Sequence, residues 1–115
     1  MNARKVYLVR HGERMDFNEK KEWDPGWPKR AARLGLEKKD APLTERGYSQ
    51  ARKAAEVING NVKIIYTSPF LRCVQTAEAI SKKLDCEIIR SADLTEWMNP
   101  EWFGVEHYDF FDYSF

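Results

Sequence analysis

Val6-Tyr7-Leu8-Val9 is a short, continuous, β-prone apolar run that stops abruptly at Arg10, the pattern of a strand buried on both faces. From Met15 to Ala41, charges of both signs alternate with Trp23, Pro25, Gly26, Trp27 and Pro28, and no period is sustained. This stretch reads as a long excursion with a short helical turn near 29–36. Periodicity then returns. Thr44 is placed to cap a helix whose Tyr48, Ala51, Ala55 and Ile58 fall on one face, with Asn59-Gly60 as its stop. Val62 to Tyr66 is a second β-prone run, and Thr67-Ser68-Pro69 turns it into another helix, with Ser68 read as the cap and Pro69 as the first helical residue. Val74, Ala77, Ile80 and Leu84 give that helix its buried stripe. Cys86 to Ile89 is a third run, followed by an irregular segment from Leu94.

Strand, helix, strand, helix, strand implies βαβ crossovers, hence an α/β fold with a mostly parallel sheet and flanking helices. Ligands of such sheets gather at the carboxyl ends of the strands. At that edge the order brings together Arg10 to Arg14 after the first strand, Ser68 to Arg72 after the second and Glu96 after the third. A histidine between two arginines is suited to attack a phosphate group, because the guanidinium groups offset the charge of the substrate. That makes His11 the candidate nucleophile. Arg72 falls in the first turns of its helix, where partial positive charge and free N–H groups favour an anion. Blander readings stand beside these: Arg10 closing a strand end, His11 at the surface among incidental basic neighbours, Glu96 paired with an arginine. Thr44, Ser68 and Pro69 read as caps, and Gly12 and Gly47 as a tight turn and a helix start.

The 115 residues make one domain's worth of chain, 1–115. Lys and Arg number 19 against 18 Asp and Glu, a net charge of +1, so neither a nucleic-acid nor a membrane footprint is expected and attraction to an anion must be local. With no apolar run of membrane-spanning length and no signal-peptide core before the first strand, a cytoplasmic protein is expected. Cys73 and Cys86 lack ligand spacing and the two histidines lie far apart, so reduced thiols, no metal and no cofactor are expected. Trp102, Phe103, Tyr108, Phe110, Phe111, Tyr113 and Phe115 crowd the C-terminal stretch. This much apolar surface is expected to pack on the sheet or against further structure of the fold, and to drive homo-oligomers if that structure is absent.

Arg10-His11-Gly12-Glu13, then Pro42-Leu43-Thr44-Glu45-Arg46-Gly47 with Gln50-Ala51, then Thr67-Ser68-Pro69-Phe70-Leu71-Arg72 with Gln75-Thr76-Ala77, and finally Leu94-Thr95-Glu96 follow one another in order. Together they resemble the successive motifs of the histidine phosphatase superfamily, the phosphoglycerate mutase-like proteins. Arg14, Asp16, Phe17 and Glu96-Trp97 are more similar to the branch of T-cell-receptor-signalling suppressor and ecdysteroid-phosphate phosphatases. Arg14 stands where the mutases usually carry a serine, which disfavours a mutase.

The resemblance implies a phosphomonoester hydrolase working through a phosphohistidine at His11. Arg10, Arg14 and Arg72 would grip the phosphoryl oxygens, Glu96 would serve as general acid and then base, and a phosphorylated small molecule or phosphoprotein would be the partner. The family's pocket normally holds a second histidine late in the chain. His107 lies in Phe103 to Asp109, which lacks a preceding strand pattern, so the chain is expected to be the N-terminal part of the fold with lowered or lost turnover. A phosphate- or partner-binding module without catalysis is therefore the alternative, with a phosphoglycerate mutase a weaker third.

Overall fold

The computed structural model describes residues 5–58 and 61–95. Its elements are α1 (Trp27–Leu34), α2 (Glu45–Glu56), β1 (Ile64–Thr67), α3 (Leu71–Leu84) and β2 (Glu87–Arg90), followed by a 3-10 turn over Ala92–Leu94. β1 and β2 pair in parallel with Ile65 opposite Ile88 and Tyr66 opposite Ile89, and α3 is the crossover between them. Helices around a small parallel sheet make this the expected α/β fold. Val74, Ala77 and Ile80 are buried on α3, which packs on both strands and along α2, where Ala51 and Ala55 are buried.

The helices form where local chemistry allows. Thr44 caps α2: its Oγ1 accepts from the Gly47 N–H at 3.0 Å, satisfying one of the donors a helix start leaves open. α2 ends at Glu56, so Ile58 lies just past it, while the expected stop at Asn59-Gly60 falls outside the described residues. Within the long excursion, α1 opens with Pro28 in its first turn, two residues earlier than the periodicity suggested, and closes at Gly35 with φ 70. That turn lets the Leu36 N–H bond back to the Ala31 carbonyl at 2.8 Å and packs Leu36, with Met15, on Trp27, Ala31 and Ala41. Trp27 and Ala31 are completely buried, so the excursion carries its own small core.

Two expectations are corrected. Val6 to Val9 is not a buried strand: these residues have no ladder partner among the described residues, and Val6 and Leu8 are 85% and 95% exposed. An apolar run becomes a buried strand only when a neighbouring strand and covering helices take up its hydrogen bonds and both faces, and the described sheet has two strands. The second correction concerns α3, which starts at Leu71 rather than Pro69 and has Phe70, not Ser68, at its cap position. Ser68 Oγ accepts from the Phe70 N–H at 3.3 Å and so closes the preceding turn, whereas the Leu71 N–H is taken by the side chain of Asp40 at 2.7 Å. A carboxylate 31 residues upstream outcompetes the local hydroxyl. The described residues contain no helix long and apolar enough to cross a membrane.

Candidate active site

With no strand beneath it among the described residues, the segment Arg10 to Arg14 is held by α2, α3 and the strip before α2. The Gly12 N–H donates to Thr76 Oγ1 on α3 at 3.1 Å, and the Thr76 hydroxyl donates to the Arg72 carbonyl at 2.7 Å. The Glu13 N–H donates to Gln50 Oε1 on α2 at 2.8 Å, and the Glu13 carbonyl accepts from the Thr44 N–H at 3.0 Å. The Thr44 hydroxyl donates in turn to Glu13 Oε1 at 2.9 Å, so Thr44 joins the loop to the helix it caps. Arg14 bridges to Leu43 in antiparallel fashion, and the Leu43 N–H donates to Gln75 Oε1 at 2.7 Å. Each backbone amide in this chain of contacts finds a partner, so the loop is fixed by hydrogen bonds that substitute for a ladder.

Gly12 is buried against Gly47 in the first turn of α2. A Cβ on Gly12 would lie 2.9 Å from Gly47 Cα and nearer still to its carbonyl, so only glycine permits this approach. The two glycines read from sequence as separate local turns thus act as one contact.

His11 Nδ1 lies 2.8 Å from the Gly12 carbonyl. A carbonyl can only accept, so Nδ1 carries the proton, and in the neutral ring Nε2 is left with its lone pair. Burial lowers the pKa of His11 below its ordinary value; the Gly12 carbonyl pulls the other way, and the charges of Arg72, Arg14 and Arg10 add to the lowering. The site thus presents at His11 a neutral imidazole with a fixed tautomer, under the charge of three arginines.

The arginines are placed differently. Arg10, His11 and Arg14 line an open cleft of about 1210 Å³ together with Phe17, Thr44 and Arg46. Arg14 is set by a two-pronged pair with buried Asp16, Nε to Oδ1 at 2.9 Å and Nη2 to Oδ2 at 2.7 Å, and lies 4.9 Å over the Phe17 ring. Such a pair fixes the plane of the guanidinium as well as its position. Arg72, on α3, is buried, lies 4.3 Å over the Phe70 ring, and its charge acts on His11. Glu96 and His107 lie outside the described residues.

Sequence reasoning missed Asp40, Thr76, Gln50 and Gln75 as builders of the site. Asp40 is buried, and that burial raises its pKa against the opposing pull of the Leu71 N–H and Arg72. A buried Asp one residue before the strip Ala41-Pro42-Leu43 is a signal only in retrospect, since its partner is remote. Gln75 and Thr76 stood inside the motif that carries the resemblance but had no local reason to be singled out.

Among the described residues the site thus joins a neutral histidine to a cluster of arginines. The sequence profile of the histidine phosphatase superfamily (branch 1) matches residues 6–111, and the chain belongs to that family. It is 41% identical over 92 residues to a probable phosphoglycerate mutase GpmB of Photorhabdus laumondii, covering 79% of this chain and 37% of that protein. It is 35% identical over 103 residues to the human ubiquitin-associated and SH3 domain-containing protein B, covering 71% of this chain and 16% of that protein. The 55 kDa subunit of transcription factor tau from Saccharomyces cerevisiae is 29% identical over 99 residues, covering 84% of this chain and 21% of the subunit. The chain thus spans between 16% and 37% of the length of these relatives. Membership supports phosphohistidine chemistry of the phosphatase or mutase kind in general.

Proposed function

We propose that the chain carries the nucleophilic half of a phosphomonoester hydrolase. His11 Nε2 attacks phosphorus in line with the ester oxygen, the P–O bond breaks as the P–N bond forms, and the leaving oxygen takes a proton from Glu96. Glu96, now a carboxylate, accepts a proton from water as that water cleaves the P–N bond and releases phosphate, restoring His11. Arg10, Arg14 and Arg72 hold the phosphoryl oxygens.

The observation that carries this reading is the His11 Nδ1 to Gly12 carbonyl contact at 2.8 Å, because it leaves Nε2 as the nucleophilic atom beside three arginines. A structural histidine would more commonly spend both nitrogens on the protein. Arg14 in place of the mutase serine favours transfer to water over transfer between hydroxyls of one substrate.

The test is hydrolysis of para-nitrophenyl phosphate together with trapping of labelled phosphate on the protein. Turnover abolished by His11→Ala, with an acid-labile label lost in the same variant, is the expected result. Phosphate binding without label or turnover would instead establish the non-catalytic anion-binding module.

A further inference from the structure

Asp40 is a buried carboxylate that the hydrolase reading leaves unused. It heads the strip Asp40 to Leu43, which joins the segment carrying Arg14 to α3. On one side the Met15 N–H donates to the Pro42 carbonyl at 2.9 Å, and Arg14 bridges to Leu43. On the other, the Leu43 N–H donates to Gln75 Oε1 at 2.7 Å, and Asp40 Oδ1 accepts from the Leu71 N–H at 2.7 Å. The residue bonded to Asp40 is therefore the immediate neighbour of Arg72, itself buried.

Two arginines act on both Asp40 and His11. Burial pushes the pKa of Asp40 up, while the Leu71 N–H, Arg72 and Arg14 pull it down and Glu37 sides with burial. Burial lowers the pKa of His11, and the same Arg72 and Arg14 add to that lowering. A carboxylate and an imidazole thus share two cations in a partly buried cluster, where charges are screened less than in water. Asp40 also differs in kind from Asp16. Asp16 takes two prongs of Arg14, whereas Asp40 spends Oδ1 on a backbone N–H.

We propose that Asp40 is an internal counter-anion of the phosphoryl site: it opposes the charge of Arg72 and Arg14 and so lowers the affinity of the site for an oxyanion. It acts on the substrate only through the arginines. The inference rests on the hydrolase reading for where the phosphoryl group sits. Its consequence is release, since phosphate formed at the end of a turnover leaves arginines that already have an anion of their own.

Sulfate binding to the full chain, measured by calorimetry at fixed ionic strength, tests this without relying on turnover, and sulfate stays a dianion across the pH range. At neutral pH Asp40→Asn keeps an oxygen for the Leu71 N–H and is expected to bind sulfate about tenfold tighter than the unaltered chain, the order expected for removing one nearby charge. Asp40→Ala loses the acceptor as well, and should also bind tighter while unfolding at lower urea. A residue that merely held α3 in place would lose affinity together with stability. Acid protonates Asp40 of the unaltered chain, against Glu37, Arg72 and Arg14 as the charges acting on it, so the advantage of Asp40→Asn should shrink toward one. Charging of His11 is common to both chains and cancels. If only one variant folds, its affinity decides by the same rule.

Equal affinities at neutral pH, weaker binding by the variants, or no sulfate binding by any of the three chains would overturn the counter-anion. Hydrolysis of para-nitrophenyl phosphate is scored separately: turnover with equal affinities retains the hydrolase and removes the counter-anion, whereas tighter binding by the variants without turnover does the reverse.

Discussion

Gly12 and Gly47 touch backbone to backbone, which presses the segment Arg10 to Arg14 onto the first turn of α2 at a separation that no side chain on either residue allows. Gly12→Ala and Gly47→Ala should each destabilise the fold by about 1–3 kcal/mol, the usual cost of forcing an extra methyl group into a packed contact. Urea unfolding of both single variants and the double variant checks this, with the double costing less than the sum because one contact is broken twice. Alanine tolerated without a change in midpoint would mean that the loop does not sit on α2.

Thr76 offers the Gly12 N–H its partner and spends its own proton on Arg72. Thr76→Val keeps the shape but orphans a buried donor, which should cost about 1–3 kcal/mol, whereas Thr76→Ser should restore most of the loss. If valine and serine behave alike in thermal unfolding, the hydroxyl is not the connection.

Asp40 separates two effects. Asp40→Asn keeps an oxygen for the Leu71 N–H, while Asp40→Ala removes the cap and should destabilise by about 0.5–2 kcal/mol. Because burial raises the pKa of Asp40 in the folded chain, the native state binds the proton more tightly than the unfolded chain does. Its effect therefore weakens the fold as pH rises from the ordinary carboxylate value through the raised one, and Asp40→Asn should remove that slope from a stability profile.

His11 titrates with the opposite consequence. Its pKa is lowered, so the unfolded chain binds the proton more readily, and stability attributable to this residue falls as pH drops through about 6.5, the ordinary histidine value. The His11 ring stays neutral further into acid than a free imidazole would. Arg14→Met removes a like charge and should move the titration upward, read from the imidazole Cε1 proton by NMR with His107→Gln to assign the second signal. An unmoved or downward-moved titration would remove Arg14 from the electrostatics of His11.

Glu96 can be tested by choice of leaving group. Glu96→Gln should slow hydrolysis of alkyl phosphates far more than that of para-nitrophenyl phosphate, whose leaving oxygen departs without a proton. Equal slowing of both would assign the acid to another group.

The legible parts of this chain were those whose signals are local. Thr44 caps the helix it precedes, and the stripes of α2 and α3 and the β-prone runs on either side of α3 appear within a residue or two of where the pattern put them. Val6 to Val9 misled because apolar continuity reports a capacity for burial, while burial itself requires neighbours that the run does not encode. Ser68 misled for a related reason: Asp40 reaches the start of α3 from 31 residues away, and no window around Ser68 contains it. At the site, the grouping of Arg10, His11 and Arg14 on one cleft was readable. Their scaffolding of Gln50, Gln75, Thr76 and the Gly12–Gly47 contact was not, since each bond joins segments far apart in sequence.

The hydroxyl of Thr76 gives Gly12 an unusual property for a loop residue. Its amide proton is bound to a side chain anchored on α3, so exchange with solvent deuterium requires the loop and the helix to part at this bond. A single resonance then reports whether the segment carrying His11 stays docked on α3.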